Sequence, residues 1–347
     1  VDSSVAALIL KNKGYRIIGA FMKNFSDTKN KLTGECHWID DYKMAQKIAA
    51  HLEIPLIKLD FEKEYKKYVI DPMFKAYAQG LTPNPDIACN TIIKFPLLWR
   101  EAHKLKADYI ATGHYARIKK KNKEFELHQG VDKTKDQSYF LHELTKEDLK
   151  HTLFPIGNLT KKQVREIAKK HKFPNWNKQG SRGVCFIGNI PMKSFLEQRL
   201  KTKQGDVLNE KGEIIGTHKG AHYYTIGERV GSHKGIEIIK GTEAQKRFFI
   251  AEKNNKKNTI TVVPENHLLL KKKEFYVQNM HWIDKSKNKL EAKVRIRHLG
   301  ELIPATLIKQ KNKWQVKLKK PINSPAPGQS AVFYKGTNLI CGGIVSI

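Results

Sequence analysis

Cysteine is scarce: of 347 residues only Cys36, Cys89, Cys185 and Cys341 carry thiols, and no two of them form a C-x-x-C pair. That spacing excludes a local zinc site and a dense disulfide framework, and reduced thiols are the expectation for an intracellular chain. No apolar run approaches the roughly 20 residues that span a bilayer, and no basic-then-apolar leader is found, so the reading is a cytoplasmic chain without a membrane segment. Acidic residues are few as well. With 34 Asp and Glu against 64 Lys and Arg, the formal net charge is +30, and a chain that repels itself this strongly points to a polyanionic partner, nucleic acid first. Apolar residues are not lacking. At 40% hydrophobic and 28% charged, the composition is that of a folded globular chain, with length for two or three domains.

The first half of the chain alternates between helical and strand periodicity, as in an α/β domain. Asp2 to Lys13 reads as a helix with Asp2, Ser3 or Ser4 capping it and Val5, Leu8 and Ile9 on one face, ended by Gly14. Arg16 to Met22 reads as a buried strand, Asp41 to Leu52 as a helix, Pro55 to Leu59 as a strand and Phe61 to Gln79 as a long helix. Ile93 to Lys104 is again helical, and Tyr109 to Thr112 is a strand running into Gly113. The pattern predicts a doubly wound parallel sheet, with ligands beyond the carboxyl ends of its strands. After about residue 190 come short β-rich runs, such as Glu213 to Thr217, Thr259 to Val263 and Trp314 to Leu318, broken by Gly, Asn and Lys turns. These predict small barrels or sandwiches. The expected domains are 1–188, 189–270 and 271–347, the last boundary falling at the lysine run Lys271 to Lys273.

Several islands carry chemistry, and each also has a plain structural use. Asp2-Ser3-Ser4 at a helix start is a place for anions, or an ordinary N-cap. Pro83-Asn84-Pro85-Asp86-Ile87-Ala88-Cys89 is a stiff turn leading to a cysteine. A following helix N-terminus and Lys94 would favour its thiolate; otherwise Asp86 is a cap and Cys89 a small core residue. Gly113 in Ala111-Thr112-Gly113-His114-Tyr115 lets backbone approach a nucleotide closely, or simply turns the chain. Lys135-Asp136-Gln137 opens a polar cluster, and Cys185 stands between Gly183 and Gly188 in a stretch suited to an accessible loop or to a buried strand.

In order, T-P-N-P-D-x-x-C-N-x-x-I-K-F, A-T-G-H-Y-A-R, K-D-Q-S-Y-F, G-x-C-F-I-G and P-G-Q-S-A-V-F-Y resemble the tRNA-specific 2-thiouridylase (MnmA) family over essentially the whole chain. The first island resembles the tail of the S-G-G-V-D-S-S loop of the PP-loop ATP pyrophosphatases, whose glycines would precede Val1. The resemblance implies a nucleotide-binding α/β domain, a small central β-rich domain and a C-terminal β-barrel. It implies ATP, with Mg²⁺, activating a tRNA anticodon-loop uridine as its adenylate, and sulfur from a cysteine persulfide replacing the oxygen. Asp2, Ser3, Ser4, Met22 and Gly113 would serve ATP; Cys185 would carry the persulfide and Cys89 would be its partner, the two forming a disulfide. Asp86 is the candidate for proton transfer. Asn84, Pro85 and Asp86 would take the target base, and Lys135, Asp136, Gln137, Arg295 and Arg297 would meet tRNA. No metal ligands are expected from the protein, a persulfide-bearing protein would donate the sulfur, and the expected state is a monomer. The sequence departs from the family at Phe25, where Trp is frequent, at Arg182, where a small residue is usual, and over 241–250, which lacks a Gly-rich Pro-Trp pattern. An amidotransferase-type PP-loop synthetase would explain the first island but not the two cysteines. A non-catalytic RNA-binding protein would explain the charge.

Overall fold

The structure, a computed structural model, describes residues 1–26, 37–178, 192–231, 234–239 and 247–346. Helix α1 (Asp2–Asn12) buries Val5, Leu8 and Leu10 and ends at Gly14, whose φ of +84° a side chain would disfavour. Strand β1 (Gly19–Lys23), helix α2 (His37–His51) and strand β2 (Leu56–Asp60) follow, with β1 and β2 parallel and Gly19 opposite Leu56. The long helix expected over Phe61 to Gln79 is one helical run of three parts. These are α3 (Glu62–Tyr65), a π-helical stretch Lys66–Ile70, and α4 (Asp71–Ala78). The next run has the same construction: α5 (Pro85–Ala88), a π-helical stretch Cys89–Lys94, and α6 (Phe95–Lys104). Both widened stretches run into a proline, Pro72 or Pro96. The missing proline N–H leaves a carbonyl one turn back without its usual partner, so the helix widens there rather than breaking.

The α/β region is completed by β3 (Ile110–Ala111), β4 (Ala116–Lys121), β5 (Glu124–Gln129), α7 (Lys146–Lys150), β6 (Thr152–Leu153) and α8 (Lys161–Lys170). β3 and β6 are parallel. Among the described residues the parallel sheet is therefore in two pieces, β1–β2 and β3–β6. Residues 17–21 and 107–111 both line one cavity of about 680 Å³, which α1 and α2 also border.

After α9 (Met192–Leu196) come β7 (Gly205–Leu208), β8 (Ile214–His218), β9 (Ile236–Ile238), β10 (Phe248–Asn254) and β11 (Thr259–Pro264). They form one sheet in the order β10-β11-β7-β8-β9, antiparallel except where β11 meets β7. The remaining strands are β12 (Lys271–Trp282), β13 (Lys289–Arg295), β14 (Ile303–Gln310), β15 (Lys313–Asn323), β16 (Ser330–Lys335) and β17 (Asn338–Ser346). They run in the order β12-β15-β14-β13-β16-β17, and β12 pairs with β17, closing a barrel. Closure takes up the edges of β12 and of β17 over 341–346, leaving the start of β17 free to pair elsewhere. Along β14 buried and partly exposed residues alternate, so Ile303, Ala305 and Leu307 fill the barrel.

The hairpin β4–β5, which periodicity did not reveal, belongs by chain order to the α/β region but pairs with the barrel: Leu127 of β5 lies opposite Leu339 of β17. One sheet therefore runs from the first region into the third. The first and second regions share a core instead, in which Tyr65, Met73, Cys89 and Ile93 pack with Phe195, Val207 and Ile250. Among the described residues no helix is long and apolar enough to cross a membrane.

Candidate active site

At the start of α1 the cap position is Val1, and no side chain caps the helix. Asp2 faces the incoming loop instead: its Oδ1 accepts from the Tyr115 hydroxyl at 3.0 Å and from Lys161 Nζ at 2.5 Å. Burial, reinforced by the Asp2 carboxylate, holds the Tyr115 phenol firmly protonated. Ser3 is exposed. Ser4 is buried and accepts from Asn175 Nδ2 at 3.4 Å, which turns its hydroxyl into the fold. Gly113 lies directly on this helix start, because a Cβ there would stand 2.6 Å from the Ser3 nitrogen. Two islands more than a hundred residues apart thus build one surface of backbone amides at a helix N-terminus, with Lys161 beside it. Lys161 is the functional candidate that sequence reading missed; its only local signal is the Thr160–Gln163 capping box at the start of α8.

The contact at Gly113 makes a direct prediction. Gly113→Ala forces the α1 N-terminus to move, and KM for ATP is expected to rise about tenfold, a cost of about 1.4 kcal/mol, in steady-state assays of AMP release. An unchanged KM would remove Gly113 from the site.

On the thiol side, Asn84 rather than Asp86 caps the helix, its Oδ1 accepting from the Asp86 N–H at 3.2 Å. The helical run thus starts at Pro85, eight residues before the expected Ile93, and this corrects the reading of Cys89. The cysteine sits one turn into a continuous helix, where the helix-end charge has largely faded, and the Lys94 ammonium bonds Asn90 Oδ1 at 3.0 Å. Cys89 is only 3% exposed, within the core shared by the first and second regions. Met22 and Phe25 pack against the same cluster. Asp86 is partly exposed in the first turn of the helix. Cys36, Cys185 and Arg182 lie outside the described residues, as does most of 241–250.

The described islands meet one another. His114 stacks on Phe95 with ring centroids 5.8 Å apart, and burial holds its imidazole neutral. Asn90 Nδ2 donates to the Phe140 carbonyl at 3.3 Å, and the Tyr115 N–H donates to Gln137 Oε1 at 3.0 Å. Of the residues expected to meet RNA, Lys135 and Arg297 are exposed, Arg297 lying just past the end of β13, and Gln137 is half-buried on Tyr115. Asp136 and Arg295 are not on the surface. They are 1% and 6% exposed and bonded to each other at 2.7 Å, with Asp136 also accepting from the N–H groups of Gly130 and Ser138 and from Gln129 Nε2. Their reading as RNA contacts is corrected to a buried ion pair that joins the first region to the barrel: a strand arginine looks exposed in sequence, and only the pairing across regions turns it inward.

Among the described residues no group of three or more His, Cys, Asp or Glu could hold a metal ion. The Asp2 carboxylate is engaged by Lys161 and Tyr115, and ATP-using sites commonly hold Mg²⁺ largely through the phosphates.

Comparison with known proteins agrees along the whole length. Residues 1–189 match a family model described as tRNA methyl transferase HUP domain, residues 193–264 its PRC-barrel counterpart, and residues 272–345 an aminomethyltransferase beta-barrel domain. A tRNA-specific 2-thiouridylase MnmA from Aliarcobacter butzleri is 43% identical over all of this chain and 95% of its own length. Proteins of the same name from Coxiella burnetii and Chlamydia abortus are 40% and 38% identical, with the same coverage of both chains. With its described motifs in mutual contact and its three-part architecture matched from end to end, the chain belongs to the tRNA-specific 2-thiouridylase family.

Proposed function

We propose that this protein converts the wobble uridine of tRNA to 2-thiouridine, using ATP to activate the base and a cysteine persulfide to supply sulfur. The observation that carries the reading is the meeting of islands far apart in sequence: Asp2 with Tyr115, Gly113 with Ser3, Phe95 with His114 and Asn90 with Phe140. The functional regions we assign are 1–188 for ATP binding and catalysis, 189–270 as the central domain and 271–347 as the barrel.

A carbonyl oxygen is a poor leaving group, so it must first be converted into a good one. The uridine oxygen attacks the α-phosphorus of ATP, an O–P bond forms and pyrophosphate leaves. Asp2, Ser3, Ser4, Met22 and Gly113 form the ATP site, where the N-terminus of α1 and the nearby Lys161 ammonium favour phosphate. Ser4 and Asp2 act by shaping that surface. Mg²⁺ would neutralise the departing pyrophosphate. The terminal sulfur of the Cys185 persulfide then attacks the activated carbon, and AMP departs with the former carbonyl oxygen. Cys89 attacks the inner sulfur, either after this step or before it with release of sulfide. Both orders end in a Cys89–Cys185 disulfide, which an external dithiol reduces. Asn84, Pro85 and Asp86 receive the extruded base, with Asp86 handling the proton. Lys135, Gln137 and Arg297 touch tRNA; Asp136 and Arg295 hold their elements in place. A persulfide-bearing protein recharges Cys185, and the protein works as a monomer in the cytoplasm.

The test is mass analysis of nucleosides after incubating the protein with ATP, a persulfide donor and unmodified tRNA: 2-thiouridine together with AMP is expected. Release of AMP without thiolated nucleoside would favour another PP-loop chemistry, and neither product would leave a binding protein. Because 64 cationic side chains stand against 34 acidic ones, phosphate neutralisation should dominate affinity. Raising salt from about 50 to about 200 mM is expected to weaken tRNA binding by about 10³-fold or more in filter-binding titrations, and a flat response would exclude tRNA as the polyanion.

A further inference from the structure

The P-G-Q-S motif near the C-terminus has no part in the chemistry above, yet its turn reaches the loop that carries the base site. Thr82, two residues before the helix cap Asn84, is buried, and both its backbone groups bond to the barrel. Its N–H donates to the Pro327 carbonyl at 2.8 Å, and its carbonyl accepts from Gln329 Nε2 at 3.0 Å. Gly328 lies between these bonds at φ +92°, and a Cβ there would stand 2.9 Å from the Thr82 nitrogen. Only glycine gives both that backbone angle and that approach. The turn is itself fixed, by Gly328 N–H to the Val345 carbonyl and Val345 N–H to the Gln329 carbonyl. A third attachment comes from the central domain, where Thr225 Oγ1 meets Thr82 Oγ1 at 3.2 Å. Pro83 and Pro85 flank Asn84, and their fixed φ transmits the position of Thr82 stiffly to the helix start and to Cys89 one turn beyond.

We propose that the Pro327-Gly328-Gln329 turn of the barrel is a clamp that positions the Thr82–Asp86 loop and, through it, Cys89, with Gln329 as the positioning residue. Its effect on thiolation rests on the function proposed above; its effect on the loop does not. Gln329→Ala and the isosteric Gln329→Glu both remove the donor to Thr82, and Thr225→Val loosens the third attachment independently.

The experiment uses the full chain in two arms. In the first, without RNA or ATP, iodoacetamide labelling is followed by peptide mass at Cys89 and at Cys341, which is fully buried in β17. Losing one hydrogen bond should raise local opening and Cys89 labelling about tenfold in both Gln329 variants, less in Thr225→Val, with Cys341 unchanged. Equal acceleration at both cysteines means general loosening, and no acceleration means no clamp; either overturns the proposal. In the second arm, kcat for thiolation should fall by about the same factor with KM for tRNA kept within about twofold. A rise in KM alone, with kcat intact, makes Gln329 an RNA contact and overturns the positioning role. Should the wild-type protein form no 2-thiouridine, the function fails while the labelling arm still decides the clamp.

Discussion

Replacing either proposed sulfur-handling cysteine is expected to reduce 2-thiouridine formation to background, a loss on the order of 10⁴-fold or more, while tRNA binding is retained. The two variants should differ in what they still do. Cys185→Ser lacks the proposed sulfur carrier, so adenylation should still release pyrophosphate while AMP stays on the uridine oxygen until water displaces it. Cys89→Ala keeps the carrier but loses the proposed resolving thiol. Intact mass should then show a Cys185–S–S–tRNA adduct if the persulfide attacks the base first, or a persulfide on Cys185 if Cys89 must first release sulfide. Alanine is the better choice at Cys89 because that side chain is 3% exposed in an apolar cluster, where a serine hydroxyl would add a desolvation cost of about 1–3 kcal/mol unrelated to sulfur. Wild-type thiolation by either variant would remove that cysteine from the mechanism.

Arg295→Ala is expected to cost about 3–5 kcal/mol of stability, because breaking a buried ion pair from one side strands the other charge. Asp136 is 1% exposed, and its remaining donors are two backbone N–H groups and the Gln129 amide. These are neutral, so the carboxylate would lose its only strong charge partner among the bonds described. The loss should appear in denaturant melts as a lower midpoint. It should also separate the barrel from the first region, since Arg295 sits on β13 and Asp136 beside the Gln129–Gly130 end of β5. Replacing both residues by apolar side chains of similar size should cost much less than the single change. A single variant within about 0.5 kcal/mol of wild type, the range of ordinary surface substitutions, would show that the pair carries no stability.

What the sequence specifies locally and what the fold adds divide by the range of the interactions involved. The first helix, the β1-to-β2 unit and strands such as β8, β11 and β15 were legible because each is specified by local periodicity and turn residues. Boundaries slipped where a side chain decided them: Asn84 capping its own helix moved the start of the run to Pro85, which changed the setting of Cys89. The hairpin β4–β5 escaped because Ala116–Lys121 reads as a charged stretch, and its pairing partner β17 lies more than two hundred residues away. Lys161 escaped for the same reason, its bond to Asp2 spanning 159 positions.

Composition, the order of the motifs and the two alternating periods determined, from the chain alone, the classes of fold and partner and the residue types available for chemistry, because those depend on neighbours in sequence and on summed charge. Which groups meet was decided only by folding. Asp136 and Arg295 became a buried pair, Ser4 turned inward, and Thr82 was taken up by a turn near the far end of the chain. Whether a polar side chain faces solvent or another polar group depends on which segments pack together, and that balance of desolvation against pairing exists only once they have done so.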